Sequence, residues 1–156
     1  MSWTARLAEL GIELPGVAAP VAAYVPAVRS GTLVYTSGQL PFVAGSLAAT
    51  GKVGGEVSPE EAKQHARTAA LNALAAVDDL VGIDAVVRVV KVTGFVASSE
   101  GFTGQPAVIN GASELLGEVF GDAGKHARAA VGVAELPLGA PVEVELIVEV
   151  DTSAGE

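Results

Sequence analysis

The amino-acid sequence predicts an α+β fold in which two long helices pack on one face of a mixed β-sheet. Three observations predict it. Segments with β-type and helical patterns follow one another as strand, strand, helix, strand, helix, strand, strand. The last strand alternates apolar and polar residues, as strands do in a sheet that is covered on one face. No repeat or linker divides the 156 residues, so we expect one domain, with residues 1–17 as an N-terminal helical extension and 151–156 as a loose tail.

The N-terminal third of the chain predicts a short helix, a hairpin and a loop. Ser2 is placed to cap a short helix that ends before Gly11. Two β-type runs between residues 24 and 39 flank Ser30-Gly31 and predict a β-hairpin. Residues 42–57 are rich in glycine and have no periodicity, so they predict a loop.

The strongest local pattern of the sequence begins the first long helix. Ser58-Pro59-Glu60-Glu61 is a capping box with proline at the first helical position. The helix is expected to run to about Val81 and to stop at Gly82. Its apolar stripe, which faces a sheet or core, is predicted to consist of Ala62, Ala66, Ala69, Leu71, Ala73, Val77 and Leu80.

The rest of the chain supplies a second helix and three strands. Residues 86–96 predict a valine-rich strand, residues 105–120 a helix ending at Gly121, and residues 128–134 and 142–150 the last two strands. Along the final strand one face carries only apolar residues, whereas the other carries Glu143, Glu145, Ile147 and Glu149. The apolar face suits packing under the helices. The glutamate face is solvated in a monomer, but in an oligomer it lines an interface, where its charges are costly unless paired.

Composition excludes several classes of function. The net charge of −9 argues against binding nucleic acid through its phosphates. The absence of cysteine excludes disulfides, thiolate metal sites and thiol catalysis, and two histidines are too few for a histidine-based metal site unless carboxylates supply the other ligands. Neither a secretory signal nor a membrane-spanning run is recognisable, so we predict a cytoplasmic protein. The abundance of alanine and valine is typical of subunit interfaces, and equally of a compositional bias of the genome.

One arginine stands out in the strand predicted at residues 128–134. Arg128 is flanked by small, apolar residues, and an arginine keeps its charge in proteins. Because burying an unpaired charge is costly, Arg128 needs an anion nearby. That anion is either a glutamate of this protein or a carboxylate that arrives from outside, and both readings stay open at this point.

Four sequence blocks together resemble a known family. They are Tyr24-Val25 with Thr36-Ser37-Gly38-Gln39-Leu40-Pro41; Asn72; Asn110; and Arg128 with Leu136-Pro137 and Val142-Glu143-Val144-Glu145. With this order and spacing, from about Val21 to the last strand, the chain is similar to the RidA family, also called the YjgF-type family, of reactive-intermediate imine deaminases. The resemblance implies a fold like that of bacterial chorismate mutase. It also implies a homotrimer whose sheets pack into a central barrel, with clefts between subunits and no metal or organic cofactor.

The resemblance also implies an activity and two principal residues. Family members hydrolyse reactive enamines and imines, such as 2-aminoacrylate, to 2-ketoacids and ammonia. Arg128 takes the place of the arginine that binds the substrate carboxylate, and Glu143 that of the glutamate that holds or activates the attacking water. The alternative for Arg128 is a structural ion pair across an interface, and for Glu143 an ordinary outward-facing strand residue.

Further positions of the substrate site follow from the same resemblance. They are Tyr24, lining the cleft; Asn110, at its wall; and Gly38 and Ala130, through their backbone N–H groups. The alternatives are a tyrosine half-buried at an interface and an exposed asparagine on a helix. The expected partners are thus a small carboxylate-bearing substrate and further copies of the chain, with no nucleic acid and no membrane.

The chain also departs from the family pattern. Where well-known members have proline two positions before the arginine and serine or cysteine just after it, this chain has His126, Ala129 and Ala130. We expect His126 at the surface or the cleft rim, and His65 in solvent. The N-terminal extension could cover the cleft or a trimer edge. Two hypotheses follow: an imine deaminase, or a non-catalytic trimer that binds small carboxylates such as 2-ketoacids.

Overall fold

A mixed sheet of five strands carries two long helices on one face in the computed structural model, which describes residues 2–17 and 23–153. The strands lie in the order β1-β2-β7-β5-β6, and all neighbours are antiparallel except β5 and β6. The strands are β1 Ala27–Ser30, β2 Leu33–Thr36, β3 Phe42–Val43, β4 Ser46–Leu47, β5 Val86–Ala97, β6 Ala127–Val133 and β7 Val142–Val150. The helices are α1 Trp3–Glu9, α2 Pro59–Val81 and α3 Gln105–Phe120, and short 3₁₀ turns cover Ile83–Ala85, Gly121–Gly124 and Pro137–Gly139. The predicted α+β architecture is therefore confirmed. Val21, where the family resemblance begins, and residues 154–156 of the predicted tail lie outside the described residues.

The predicted cap residues Ser2, Ser58 and Gly82 are confirmed, although the hydrogen bonds of the described residues include only one of the two bonds of a capping box at Ser58. The Ser2 hydroxyl accepts a hydrogen bond from the Ala5 backbone N–H at 3.0 Å and begins α1. The Ser58 hydroxyl accepts one from the Glu61 N–H at 3.1 Å, and α2 ends at Gly82, whose φ of 81° favours glycine. These ends were predictable because a cap is a contact between residues that are close in sequence.

The N-terminal helix is docked onto the end of α3. The Trp3 indole N–H donates to the Val86 carbonyl at 2.7 Å, and its ring meets that of Phe120 edge-on, with 5.0 Å between centroids. Phe120 ends α3, roughly 15 Å along the helix from Asn110 at 1.5 Å per residue. Trp3 of the extension therefore lies at the end of α3, away from the turn that carries Asn110.

The prediction of a featureless loop at residues 42–57 is wrong in part. β3 and β4 form a small hairpin, turned by Ala44 and Gly45 with φ values of 50° and 84°. Val53 is fully buried, and its N–H donates at 2.7 Å to the carbonyl of Ala97, the last residue of β5. Strands of two residues are too short to show an alternating pattern, and the anchoring of Val53 depends on a distant strand, so neither feature is visible in the sequence.

The buried face of α2 is wider than the predicted stripe. Leu80 is 40% exposed and Leu71 is only partly buried, whereas Leu74, which the stripe omitted, is fully buried. The reason is that α2 contacts both β7 and α3, so two sides of the helix are covered rather than one. His65 of α2 has only 13% of its side chain exposed, so the prediction that it lies in solvent is wrong.

Alternation along β7 is confirmed. The side chains of Val142, Val144, Leu146, Val148 and Val150 are at most 1% exposed, under the helices. The intervening residues point to the opposite face, which we call the open face of the sheet. No helix among the described residues is both long and apolar enough to cross a membrane.

Two glycines allow close packing at the start of α3. A β-carbon on Gly94 of β5 would lie 2.5 Å from the Ile109 side chain, and one on Gly111 would collide with the backbone carbonyl oxygen of Lys63 on α2. α2 and α3 therefore approach backbone to backbone at Gly111. This contact fixes the position of the neighbouring Asn110.

We expect Gly111→Ala to lower the free energy of unfolding by about 1–3 kcal/mol, because the helices would have to separate. Gly117→Ala is the matched control, since it lies on the same helix and a β-carbon there meets no atom within 4 Å. That substitution should raise stability by roughly 0.5–1 kcal/mol. Urea denaturation of both variants measures the difference. Equal stabilisation of both would show that α2 and α3 are not packed this closely.

Candidate functional site

The predicted site residues are divided between the two faces of the sheet. Arg128 of β6 lies beside Val92 of β5, whose side chain is fully buried on the helix side. Glu143 of β7 lies beside Phe95, which belongs to the opposite set of β5 residues. Because paired residues of neighbouring strands point to the same face, Arg128 projects to the helix face and Glu143 to the open face. One chain therefore presents two separate groups of residues. We call the group around Arg128 the arginine half-site and the group around Glu143 the glutamate half-site.

The arginine half-site lies where the edge strand β6 runs beside α3. Arg128 Nη1 donates to Asn110 Oδ1 at 2.8 Å and to Ser113 Oγ at 3.2 Å. Asn110 and Ser113 lie on the same side of α3 because they are three residues apart. The structure thus brings Arg128 and the predicted Asn110 together, with Asn110 as an anchor for the guanidinium.

The anchors leave one edge of the guanidinium available. Both bonds use Nη1 and both acceptors are neutral, so the charge of Arg128 is not compensated. Within residues 2–17 and 23–153, no Asp or Glu oxygen lies within the 4.0 Å of an ion pair with Arg128. Within the described part of one chain, Arg128 is therefore not paired with a glutamate. The Nε and Nη2 groups make no hydrogen bond there and form the planar fork that suits a carboxylate.

His126 extends the arginine half-site. Its Nδ1 lies 2.6 Å from the Gly124 carbonyl oxygen, and its Nε2 lies 2.9 Å from Ser113 Oγ. Because a carbonyl only accepts, Nδ1 carries a proton and Nε2 of the neutral ring accepts the Ser113 hydroxyl proton. His126 is half-buried and hydrogen-bonded on both ring nitrogens, one of them to Ser113 of α3, and its expected place at a cleft rim stays a prediction.

Sequence reasoning did not identify Ser113. Two spacings could have found it together with His126. Ser113 follows Asn110 by three helical positions, and His126 precedes Arg128 by two positions of a strand, so each pair shares one face. Joining the two pairs required knowing that α3 lies beside β6.

Ala130 stands two positions after Arg128 on the same face. Its side chain packs partly buried against the core, and it lies beside Gly94 of β5. The binding role of its N–H group remains a prediction.

The glutamate half-site is built by the Thr36–Gln39 segment crossing the start of β7. The Thr36 hydroxyl accepts a hydrogen bond from the Leu146 N–H at 2.9 Å. Gln39 and Val144 exchange two backbone hydrogen bonds, at 2.8 and 3.0 Å. Gly38 lies between these hydrogen-bonded residues, and a β-carbon on it would lie 2.7 Å from Glu143 Oε2. Glycine at this position therefore leaves room for the Glu143 carboxylate beside the turn.

The environment of Glu143 favours its protonated form. Burial raises the pKa of its carboxyl group above the ordinary value, and the negative charge of Glu145, two residues along the same face, raises the pKa further. A carboxylate with a raised pKa is a stronger base near neutral pH. Glu143 is thus a candidate for a residue that moves a proton.

Tyr24 lies near the same segment but is 62% exposed. The carbonyl of the next residue, Val25, accepts a hydrogen bond from the Ser37 hydroxyl at 2.6 Å, which ties this part of the chain to the turn at Gly38. Asn72 reaches the same region from α2, donating to the carbonyls of Leu40 and Phe42 at 2.9 and 3.1 Å. Asn72 therefore supports the backbone that follows the turn.

Two surface cavities lie elsewhere. The larger, of about 320 Å³, is a charged groove between α2 and α3, lined by Lys63, Gln64, Arg67, Gly111, Glu114 and Glu118. Its lysine and arginine are already paired with Glu114 and Glu118. The other, of about 240 Å³, lies beside residues 51–56 and 139–140. Neither includes Arg128 or Glu143, as expected when the two half-sites stand on opposite faces of one sheet.

Fold and half-sites together define a class of protein. Residues 4–150 match the family described as "YjgF/chorismate_mutase-like, putative endoribonuclease". The chain therefore belongs to the YjgF/RidA family, its sheet and helices form the chorismate mutase-like fold, and the resemblance predicted from the sequence is confirmed.

Three similar proteins illustrate the breadth of the match. Protein TCP17 of Trypanosoma cruzi is 47% identical over 151 residues, which cover 94% of this chain and 93% of TCP17. The crystal structure of Atu1372 from Agrobacterium tumefaciens, a protein of unknown function, has a TM-score of 0.88 at 47% identity, covering 96% of this chain and 92% of Atu1372. Escherichia coli TdcF, solved with bound serine, has a TM-score of 0.57 at 25% identity, covering 88% of this chain and 93% of TdcF.

Proposed function

We propose that this protein hydrolyses reactive enamine and imine acids of the 2-aminoacrylate type to 2-ketoacids and ammonia, in a cleft between copies of the chain. The observation that carries the proposal is the state of Arg128. Its guanidinium is held on one nitrogen by neutral acceptors, while its Nε/Nη2 edge is free in the described part of the chain.

Such a guanidinium is suited to a small carboxylate. Two parallel N–H···O bonds fix both the position and the plane of the bound group. Serine, which is bound in the TdcF structure, carries a carboxylate next to an amino-substituted carbon, as 2-aminoacrylate does. This similarity supports a short amino or imino acid as the ligand class.

The hydrolysis needs only water as a second reactant. Protonation of 2-aminoacrylate on its terminal carbon by solvent gives the iminium of pyruvate. Glu143 would accept a proton from water as the water oxygen bonds to the iminium carbon, and would return that proton to nitrogen as the carbon–nitrogen bond breaks. As the carbonyl forms, the remaining hydroxyl proton goes to solvent and replaces the one taken up on carbon. One water is consumed, one ammonia leaves, and the carboxylate ends as it began. A positioned acid or base of this kind contributes roughly 10²–10⁴-fold.

A single cleft that uses both half-sites would need a second chain. Because Arg128 and Glu143 project to opposite faces, we propose that the arginine half-site of one protomer meets the glutamate half-site of a neighbour in a homotrimer. The open face offers apolar surface for such an assembly, since Val28, Tyr35 and Val131 are 52%, 43% and 44% exposed. Tyr24, 62% exposed, would then become covered at the cleft.

The test is a coupled assay with Glu143→Gln. A serine dehydratase generates 2-aminoacrylate, and lactate dehydrogenase follows pyruvate. Wild type should accelerate pyruvate release over the uncatalysed rate, whereas Glu143→Gln should lose the acceleration and still bind pyruvate in calorimetry. Glu149→Gln, which changes another glutamate of the same β7 face, is the control. No acceleration by a trimeric wild-type protein would reject deamination of this substrate.

A second candidate is non-catalytic binding of small carboxylates. It is favoured by one observation: Arg128 and its anchors are complete without Glu143. Pyruvate binding without any acceleration by wild type would support it. The endoribonuclease of the family description is opposed by the net charge of −9, which disfavours binding to phosphates.

The pH dependence gives an independent prediction. If the Glu143 carboxylate is the base, kcat/KM should fall on the acid side as pH drops through its raised pKa. Glu145→Gln removes a negative charge that raises the pKa of Glu143, so the acid limb should move to lower pH. The same profile measured with Glu149→Gln should keep its limb. If the acid limb of Glu145→Gln lies at the same pH as that of wild type, Glu143 is not the group whose titration sets it.

A further inference from the structure

We infer that Ser113 and His126 are positioning residues that hold the Arg128 guanidinium in the orientation needed for the substrate carboxylate. The inference rests on the proposed function. It assigns a role to two side chains that neither touch the proposed substrate nor belong to the residues suggested by the family resemblance.

The hydrogen bonds form a chain with a defined direction. The Gly124 carbonyl oxygen, 2.6 Å from His126 Nδ1, requires a proton on that nitrogen. His126 Nε2, 2.9 Å from Ser113 Oγ, then accepts the serine proton. The lone pairs of the serine oxygen are left to accept from Arg128 Nη1 at 3.2 Å.

The far end of this chain is rigid. Gly124 is buried, and a β-carbon there would collide with the Leu116 carbonyl oxygen, so the 3₁₀ turn lies directly against the backbone of α3. His126 is thus fixed relative to the helix that carries Ser113. Without the histidine, the serine hydroxyl is free to turn toward the carbonyl of its own helix, the usual alternative for a helical serine.

Two anchors on one nitrogen determine the plane of the guanidinium. With Asn110 alone, at 2.8 Å, the group can rotate about a single hydrogen bond. Adding Ser113 stops that rotation, and because both anchors bind Nη1, the Nε/Nη2 edge is left to the substrate. Since a bidentate carboxylate must be coplanar with the fork, this orientation decides how well the substrate binds.

The experiment compares wild type with Ser113→Ala, Ser113→Thr and His126→Ala. We expect Ser113→Ala and His126→Ala to raise the Kd for pyruvate and the KM for 2-aminoacrylate about tenfold, because a hydrogen bond to a charged group is lost or misdirected. The kcat should stay within about twofold, because Glu143 and Gly38 are untouched. Ser113→Thr keeps the hydroxyl and should restore the wild-type Kd, which a merely structural role of the position would not explain.

A second readout separates this inference from the proposed function. In ¹⁵N NMR spectra without ligand, His126 should carry its proton on Nδ1, and the Arg128 Nε–H should be rigid in wild type and Ser113→Thr but mobile in Ser113→Ala and His126→Ala. Unchanged Arg128 mobility in the alanine variants would overturn the inference, whatever the protein binds. If wild type neither binds pyruvate nor accelerates hydrolysis, the proposed function fails, and with it the role toward a substrate carboxylate.

Discussion

Replacing Arg128 with alanine is expected to abolish both pyruvate binding and the acceleration of 2-aminoacrylate hydrolysis. Removing one partner of a desolvated charge pair costs roughly 2–5 kcal/mol, or about 30- to 4,000-fold in Kd. Arg128→Lys should be intermediate, because lysine keeps the charge but cannot form the planar fork. Isothermal titration with pyruvate and the coupled assay measure both effects.

The matched control for this loss is Arg67→Ala. Arg67 lies on α2 in the groove between the helices and is paired with Glu118 at 3.3 Å, away from both half-sites. Its removal should leave Kd and kcat/KM unchanged. Wild-type affinity in Arg128→Ala would show that the free guanidinium edge does not bind the ligand carboxylate, and the proposed function would lose its main support.

Mixing two inactive variants is expected to restore activity. In a cyclic trimer each proposed cleft takes Arg128 from one chain and Glu143 from its neighbour. When Arg128→Ala and Glu143→Gln chains are unfolded, combined in equal amounts and refolded, each needed residue is present with a probability of about one half. About one quarter of the clefts should then be intact, with about one quarter of wild-type activity.

The controls for this experiment are the single variants taken through the same unfolding and refolding. Native mass spectrometry verifies that the refolded trimers contain both kinds of chain. Mixed trimers without activity would mean that Arg128 and Glu143 of the same chain serve one cleft. A stable monomer in light scattering would remove the cleft between chains altogether.

Much of the fold was predictable because it depends on local patterns. Ser58 caps α2 through the N–H of Glu61, three residues away, and β7 shows its buried face by simple alternation. Features that depend on distant residues were missed. The burial of Val53 depends on a bond to Ala97, and the burial of Leu74 depends on α2 being covered by both β7 and α3.

The same division applies to the candidate site. Arg128, Asn110, Gly38 and Glu143 were singled out from the sequence by their resemblance to a family. That Asn110 holds the guanidinium, and that Gly38 makes room for the Glu143 carboxylate, required the structure, because helix, turn and strand are joined there by contacts far apart in sequence.

By itself, the sequence determined the helices, the five strands of the large sheet, the apolar face of β7 and membership of the family. These features depend on caps, alternation and motif spacing, which involve residues that are close in sequence. Only the tertiary structure decided that Arg128 and Glu143 stand on opposite faces of the sheet, and that Ser113 and His126 join Arg128. The physical reason is that the face of a strand residue has functional meaning only once strand register and helix packing are fixed. Both are set by the collective burial of the core rather than by any single segment.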